Sequence, residues 1–156
     1  MKKIYNAGIL FIASGFFTGY APVASGTFGS VVGAALYYIT DRRLHLGHYG
    51  SVVLAVLLYV VGTVTASRAE EILHEQDSGK IVIDEIAGMY ITMLFVPAGL
   101  VSLLIGFVCF RFFDILKPYP ISYIDKNIHG GTGVMLDDVL AAVLANVVLH
   151  LILLII

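Results

Sequence analysis

From Ile4 to Thr40 the chain carries no Asp, Glu, Lys or Arg, and the same holds for Leu44–Ser67, Ile86–Phe110 and Val139–Ile156. About 20 such residues can cross the hydrocarbon of a bilayer as a helix, and lipid admits only backbones whose donors and acceptors are satisfied internally. With 59% hydrophobic and 13% charged residues in a chain of 156, a water-soluble domain would struggle to hide its apolar surface. These runs predict an all-α, polytopic, membrane-embedded protein folded as one domain over residues 1–156.

Lys2 and Lys3 ahead of an apolar stretch look like the start of a signal peptide. No small-residue cleavage site follows at the right distance, so a retained helix is expected. The lone Cys109 excludes an intrachain disulfide. A net charge of -2 with no basic stripe excludes a nucleic-acid partner.

The polar stretches between the apolar runs organise the chain. Residues 41–50 read as a connecting loop, and residues 67–85 as an amphipathic helix that turns at Asp77-Ser78-Gly79. Pro97-Ala98-Gly99 breaks the run Ile86–Phe110 into two pieces of about 16 Å each, which predicts short helices in a re-entrant hairpin. Such a hairpin returns Arg111 to the side that Glu85 leaves. If Ser51–Ala66 and a helix from Phe28 to Thr40 both cross, residues 19–30, 67–85, 111–120 and 122–138 share one face. That face carries Arg68, Lys80, Arg111, Lys117 and Lys126 against Arg42 and Arg43 opposite, joined there by Lys2 and Lys3 if residues 4–18 cross rather than lie in the interface, a balance that favours a cytoplasmic site face.

Asp84, Glu85, Asp114, Asp137 and Asp138 abut apolar segments on this one face. A carboxylate there needs a cation or a hydrogen-bond partner, and hard oxygen donors of this kind suit Mg²⁺. Neighbours on a helix point about 100° apart, so in each of the pairs Asp84-Glu85 and Asp137-Asp138 one member can face a site while the other caps or orients. The alternative is that these acids only favour helix dipoles and cap exposed amides.

Arg111, Asp114 and Lys117 share a helix face before Pro118, either as a simple i,i+3 salt bridge or as cations for a phosphate beside a metal ligand. Gly26, Thr27, Gly29 and Ser30 in GYAPVASGTFGS, and Gly130 and Gly131 in HGGTG, offer loops through which backbone amides could approach an anion. The plainer reading is a capped break in the first case and a flexible turn in the second.

The ordered blocks APVASGTFGS, IVIDEIAG, FRFFDILKPYPI and GGTGVMLDDVLAA, extending from residue 21 to 142, resemble the phosphatidylglycerophosphatase A family. The resemblance implies a mainly helical, Mg²⁺-dependent phosphatase of the bacterial inner membrane that hydrolyses phosphatidylglycerophosphate, a phospholipid. It places the family's acidic positions on Asp84, Glu85, Asp114, Asp137 and Asp138, its basic ones on Arg111 and Lys117, and its small polar loop on Gly26, Thr27, Gly29 and Ser30. Two departures stand out: Ser78 follows Asp77 where the family carries Pro, and Ser25 stands where members often carry Pro.

Other phosphatase chemistries lack their residues. Cys109 precedes no anion loop, no D-x-D occurs, and no Ser-Gly-His accompanies a basic motif. Carboxylate-held Mg²⁺ activating a water remains, with one carboxylate outside the metal shell as base. Two further readings stay open: the same scaffold acting on another phosphomonoester, and a small ion-coupled transporter with broken helices.

Overall fold

The computed structural model describes residues 2–155. They form helices α1 (Lys2–Ala13), α2 (Ser25–Arg42), α3 (Gly47–Leu73), α4 (Ile83–Thr92), α5 (Leu100–Leu116), α6 (Ile121–Asn127) and α7 (Gly130–Leu153), with a 3₁₀ turn at Thr18–Tyr20. No strand occurs among the described residues, as the apolar runs required. Two helices, α3 and α7, are long and apolar enough to cross a membrane. Large apolar side chains such as Val53, Val60, Leu104, Val108, Val147 and Leu151 face outward, whereas Ala66, Ala69, Ala141, Ala142 and Ala145 are buried. Small residues at helix contacts and large ones outside are the pattern expected where lipid is the solvent.

Nearly all of α4 is buried, and it packs against α2, α3, α5 and α7. At about 15 Å it is too short to span hydrocarbon, so its end must be accommodated inside the protein. Residues 93–99 leave the helix there, and side chains take up their backbone groups. Asn146 Nδ2 donates to the carbonyls of Thr92 (2.8 Å) and Leu94 (2.9 Å), and the Tyr37 hydroxyl donates to Val96 (2.7 Å). Arg42 Nε donates to the Ala98 carbonyl (2.6 Å), and the Ala98 amide donates to Asp41 Oδ2 (3.1 Å). The expected reversal at Pro97-Ala98-Gly99 is thus present, with its polar groups closed inside the fold.

Several boundaries differ from the sequence reading. The second arm of the hairpin is not a short piece: α5 continues through Arg111–Leu116 and stops only where Lys117 turns left-handed (φ 41°) before Pro118. Residues 67–73 prolong α3 rather than forming a separate helix, and the loop expected at 41–50 shrinks to 43–46. These shifts do not disturb the main consequence. The N-terminal ends of α2, α4 and α7 and the C-terminal ends of α3 and α5 meet at one end of the bundle.

Replacing Asn146 with Leu strands the Thr92 and Leu94 carbonyls in an apolar interior. The expected cost is about 2 kcal/mol, read as a lowered thermal midpoint in detergent with helix content unchanged.

Candidate active site

The first turn of α4 carries Asp84 and Glu85, and α7 brings Asp138 to them. Each offers a carboxylate oxygen, and the three oxygens lie within 4.8 Å of one another. Asp84 and Asp138 are only 8% and 4% exposed. Asp84 Oδ1, Glu85 Oε2 and Asp138 Oδ2 are buried without a hydrogen-bond partner. Asp114 adjoins Asp138 and pairs with Arg111, whose Nη1 lies 2.5 Å from Asp114 Oδ2 and 3.4 Å from Ser30 Oγ. Ser30 in turn donates to the Gly26 carbonyl (2.9 Å), and Arg111 Nε is left buried and unpartnered.

Four carboxylates thus meet one guanidinium, leaving three negative charges uncompensated when all are ionised. Buried carboxylates without partners are costly. Burial, and then the charge of Glu85, pushes the Asp84 carboxyl well above the ordinary carboxylate range, and burial raises Glu85 as well. Oxygen donors alone, at this spacing and with free lone pairs, fit a hard divalent cation such as Mg²⁺.

Asp137, one residue before Asp138, faces elsewhere. Its Oδ1 accepts the Asp138 amide (2.9 Å), and its Oδ2 lies 2.5 Å from Lys117 Nζ. Lys117 is also 2.5 Å from Asp125 Oδ1. Burial opposes its charge, but the bonds to Asp125 and Asp137 prevail and raise its pKa. The expected division of labour within a pair is realised here, with Asp138 turned to the cluster and Asp137 to a lysine. In the pair Asp84-Glu85 both members reach the cluster.

The helix expected from Phe28 begins earlier, so Gly26 and Thr27 are helical rather than loop, as are Gly130 and Gly131. α2 opens at Ser25 behind a left-handed Ala24, and the amides of Thr27 and Phe28 bond back to the Ala24 carbonyl. The Ser25 and Gly26 amides have no partner among the described residues. A Cβ on Gly26 would collide with Glu85 Oε1 and stand 3.1 Å from Arg111 Nη1, so the end of α2 lies directly on the cluster. Gly29 instead lets α2 approach Val82 and the Glu85 Cβ, and Thr27 is half-buried with no side-chain hydrogen bond among the described residues.

Gly130 and Gly131 form the first turn of α7, where Gly131 packs against Thr63 and Ser67 of α3. That close contact accounts for Gly131. The two positions that depart from the family pattern are held by hydroxyls. Ser25 Oγ donates to the Gly79 carbonyl (2.6 Å) and Ser78 Oγ to Glu75 (2.7 Å), beside a left-handed Asp77 whose amide donates to Glu70 (2.8 Å).

A cavity of about 200 Å³ borders Asp137 and Asp125, lined also by Glu70, Asp77 and His129 but not by Asp84, Glu85 or Asp138. Asp125 is absent from the residues that the sequence singled out. Its signal was weak: an acid eight residues after Lys117, beyond a proline turn, next to Lys126.

Comparison with known proteins agrees with the motif blocks. The family model described as Phosphatidylglycerophosphatase A matches residues 11–153. A Haemophilus influenzae protein named Phosphatidylglycerophosphatase A is 36% identical over 150 residues, covering 95% of this chain and 91% of that protein. An Escherichia coli K12 protein of the same name is 35% identical over 142 residues, covering 90% and 81%. A Bacteroides thetaiotaomicron protein named "Putative phosphatidylinositol-3-phosphatase" is 36% identical over 139 residues, covering 85% of each chain. No solved structure matches.

The electrostatic strain in the cluster has a measurable sign. Because Asp84 and Glu85 hold protons in the folded state that the unfolded chain releases, the cation-free protein should lose stability as pH rises from the ordinary carboxylate range through their raised values. Asp138→Asn should stabilise the cation-free protein by on the order of 1–3 kcal/mol, seen as a raised thermal midpoint, and should weaken any further stabilisation by added Mg²⁺. Thermal unfolding with chelator and with Mg²⁺, across pH, checks both.

Proposed function

The chain belongs to the phosphatidylglycerophosphatase A family, and from that premise we propose that it removes the terminal phosphate of phosphatidylglycerophosphate, leaving phosphatidylglycerol and inorganic phosphate. The protein is a phosphatase, and the finer reading is a Mg²⁺-dependent one that uses water as nucleophile. What carries it is the convergence of three buried, unpartnered carboxylate oxygens beside an arginine at one end of an apolar bundle. The setting that fits is a bacterial inner membrane crossed several times, with the site at the cytoplasmic face. Arg68, Lys80, Arg111, Lys117 and Lys126 gather toward that end, against Arg42 and Arg43 at the other.

Asp84, Glu85 and Asp138 would hold the ion, with Asp114 beside them. When bound, Mg²⁺ lowers the pKa of a coordinated water and polarises the phosphoryl oxygen. Arg111, oriented by Asp114 and Ser30, retains Nε for an equatorial phosphate oxygen, and the free Ser25 and Gly26 amides add donors at the end of α2. Asp114 pairs with Arg111 and holds the guanidinium in place. The proton of the attacking water is left to a carboxylate of the cluster outside the metal shell. Lys117 is engaged by Asp125 and Asp137, so its part in this scheme is to orient.

A second head group is worth separating, since one relative's name refers to a phosphatidylinositol phosphate. The same metal and arginine would serve any lipid phosphomonoester. Phosphate release from phosphatidylglycerophosphate, phosphatidylinositol 3-phosphate and phosphatidic acid, compared at equal surface concentration, ranks them, with the first expected to lead.

With purified protein in detergent and Mg²⁺, Asp84→Asn and Asp138→Asn should each lower phosphate release by about 10²–10³-fold, and Arg111→Lys by about 10². Near-wild-type rates in both carboxylate variants would sink the assignment.

A further inference from the structure

Asp137 does two things at once: one oxygen accepts the backbone amide of Asp138, and the other pairs with Lys117 at 2.5 Å. Lys117 is pinned in turn by Asp125, at 2.5 Å, from α6. The chain of contacts runs from α6 through the end of α5 to the backbone of the residue whose side chain points at Asp84 and Glu85. We propose that Asp125 and Lys117 are positioning residues for the cation site: they lock Asp137, and Asp137 locks the turn of α7 that aims Asp138. The proposal rests on the reading of Asp84, Glu85 and Asp138 as the cation's ligands.

Three observations favour orientation over direct substrate binding. An ammonium on a flexible four-carbon stem has a defined position only when more than one partner holds it, and here two carboxylates from different helices do. Those carboxylates over-neutralise Lys117, and both border a cavity that Glu70 and Asp77 also line, so a phosphate approaching through it would meet an excess of negative charge. Lys117 also lies one helical turn beyond Asp114, which adjoins Asp138 and pairs with Arg111. A fixed Lys117–Asp137 pair therefore holds the α5 residues that would meet phosphate at a set distance from the α7 residue that would meet the cation. Groups that orient metal ligands in this way are typically worth about 10–100-fold in metal affinity.

Asp125 is the residue to test, because its side chain is 34% exposed against 7% for Asp137, and its loss leaves no deeply buried charge unpaired. The probe is Mn²⁺, titrated into the full-length protein in detergent and followed by electron paramagnetic resonance, with thermal midpoints recorded alongside. Asp125→Asn should weaken Mn²⁺ binding about tenfold, and Asp125→Glu should recover most of the loss. KM for the lipid should stay within about twofold at saturating Mg²⁺. Glu71→Gln, which breaks the exposed pair with Arg68, should leave Mn²⁺ affinity unchanged.

The proposal is overturned if Asp125→Asn binds Mn²⁺ as wild type does, or if the loss appears only as a raised lipid KM. It is equally overturned if Asp125→Asn abolishes binding as completely as Asp84→Asn, which would make Asp125 a ligand. Failure of the wild-type protein to bind Mn²⁺ at all would instead remove the cation site on which the proposal rests.

Discussion

Repulsion among Asp84, Glu85, Asp138 and Asp114 is the constraint around which the rest is built. In the low dielectric of an apolar bundle such charges persist only if fixed dipoles and a cation answer them. The fold supplies the dipoles: Asp84 and Glu85 sit in the first turn of α4, at the positive end of its peptide dipoles. The Ser25 and Gly26 amides of α2 have no partner among the described residues, and Gly26 brings that helix end closer to Glu85 than any side chain would allow. One guanidinium, from Arg111, answers one charge. The remainder is what the proposed cation would answer.

The opposite end of the bundle makes this possible. Had α4 continued as a spanning helix, the chain would have carried Arg111 and Asp114 to the far side. The reversal at residues 93–99 brings them back, and it survives only because Asn146, Tyr37, Arg42 and Asp41 satisfy the broken backbone. A single amide in the long apolar run of α7 thus contributes to the site from its remote end. Asn146 holds the turn that lets α5 return, while Asp138, on the same helix, meets what returns.

Much of this was legible in the sequence because it follows from one-dimensional constraints. Runs without charge require helices, Pro97-Ala98-Gly99 requires a break, and acids beside apolar segments require partners. What could not be read depends on rotation and packing. Whether Asp137 or Asp138 faces the cluster is decided by about 100° of helix phase, which Lys117 fixes from another element. The glycines of GGTG looked like a loop because glycine is a poor helix former. Close contact of Gly131 with α3 overrides that preference. Arg111 with Asp114 was legible as an i,i+3 pair, whereas Lys117 with Asp125 joins two elements across a proline turn, where no periodicity helps.

Charge balance also bears on how the site meets a substrate. A phosphate monoester near neutral pH is itself anionic, and the cluster without a cation sets four carboxyl groups, two of them (Asp84 and Glu85) holding protons above the ordinary carboxylate range, against the single Arg111. Such a site offers an anionic substrate little positive charge. If it binds Mg²⁺ as proposed, the bound ion would ease the approach of the lipid's phosphate. Phe11, Phe16, Phe17 and Tyr20 form an exposed aromatic cluster near the end where α2 begins, a placement suited to the head-group level of a bilayer. A lipid substrate of the kind proposed, anchored by its acyl chains at that level, would present its phosphate to the cluster from the membrane.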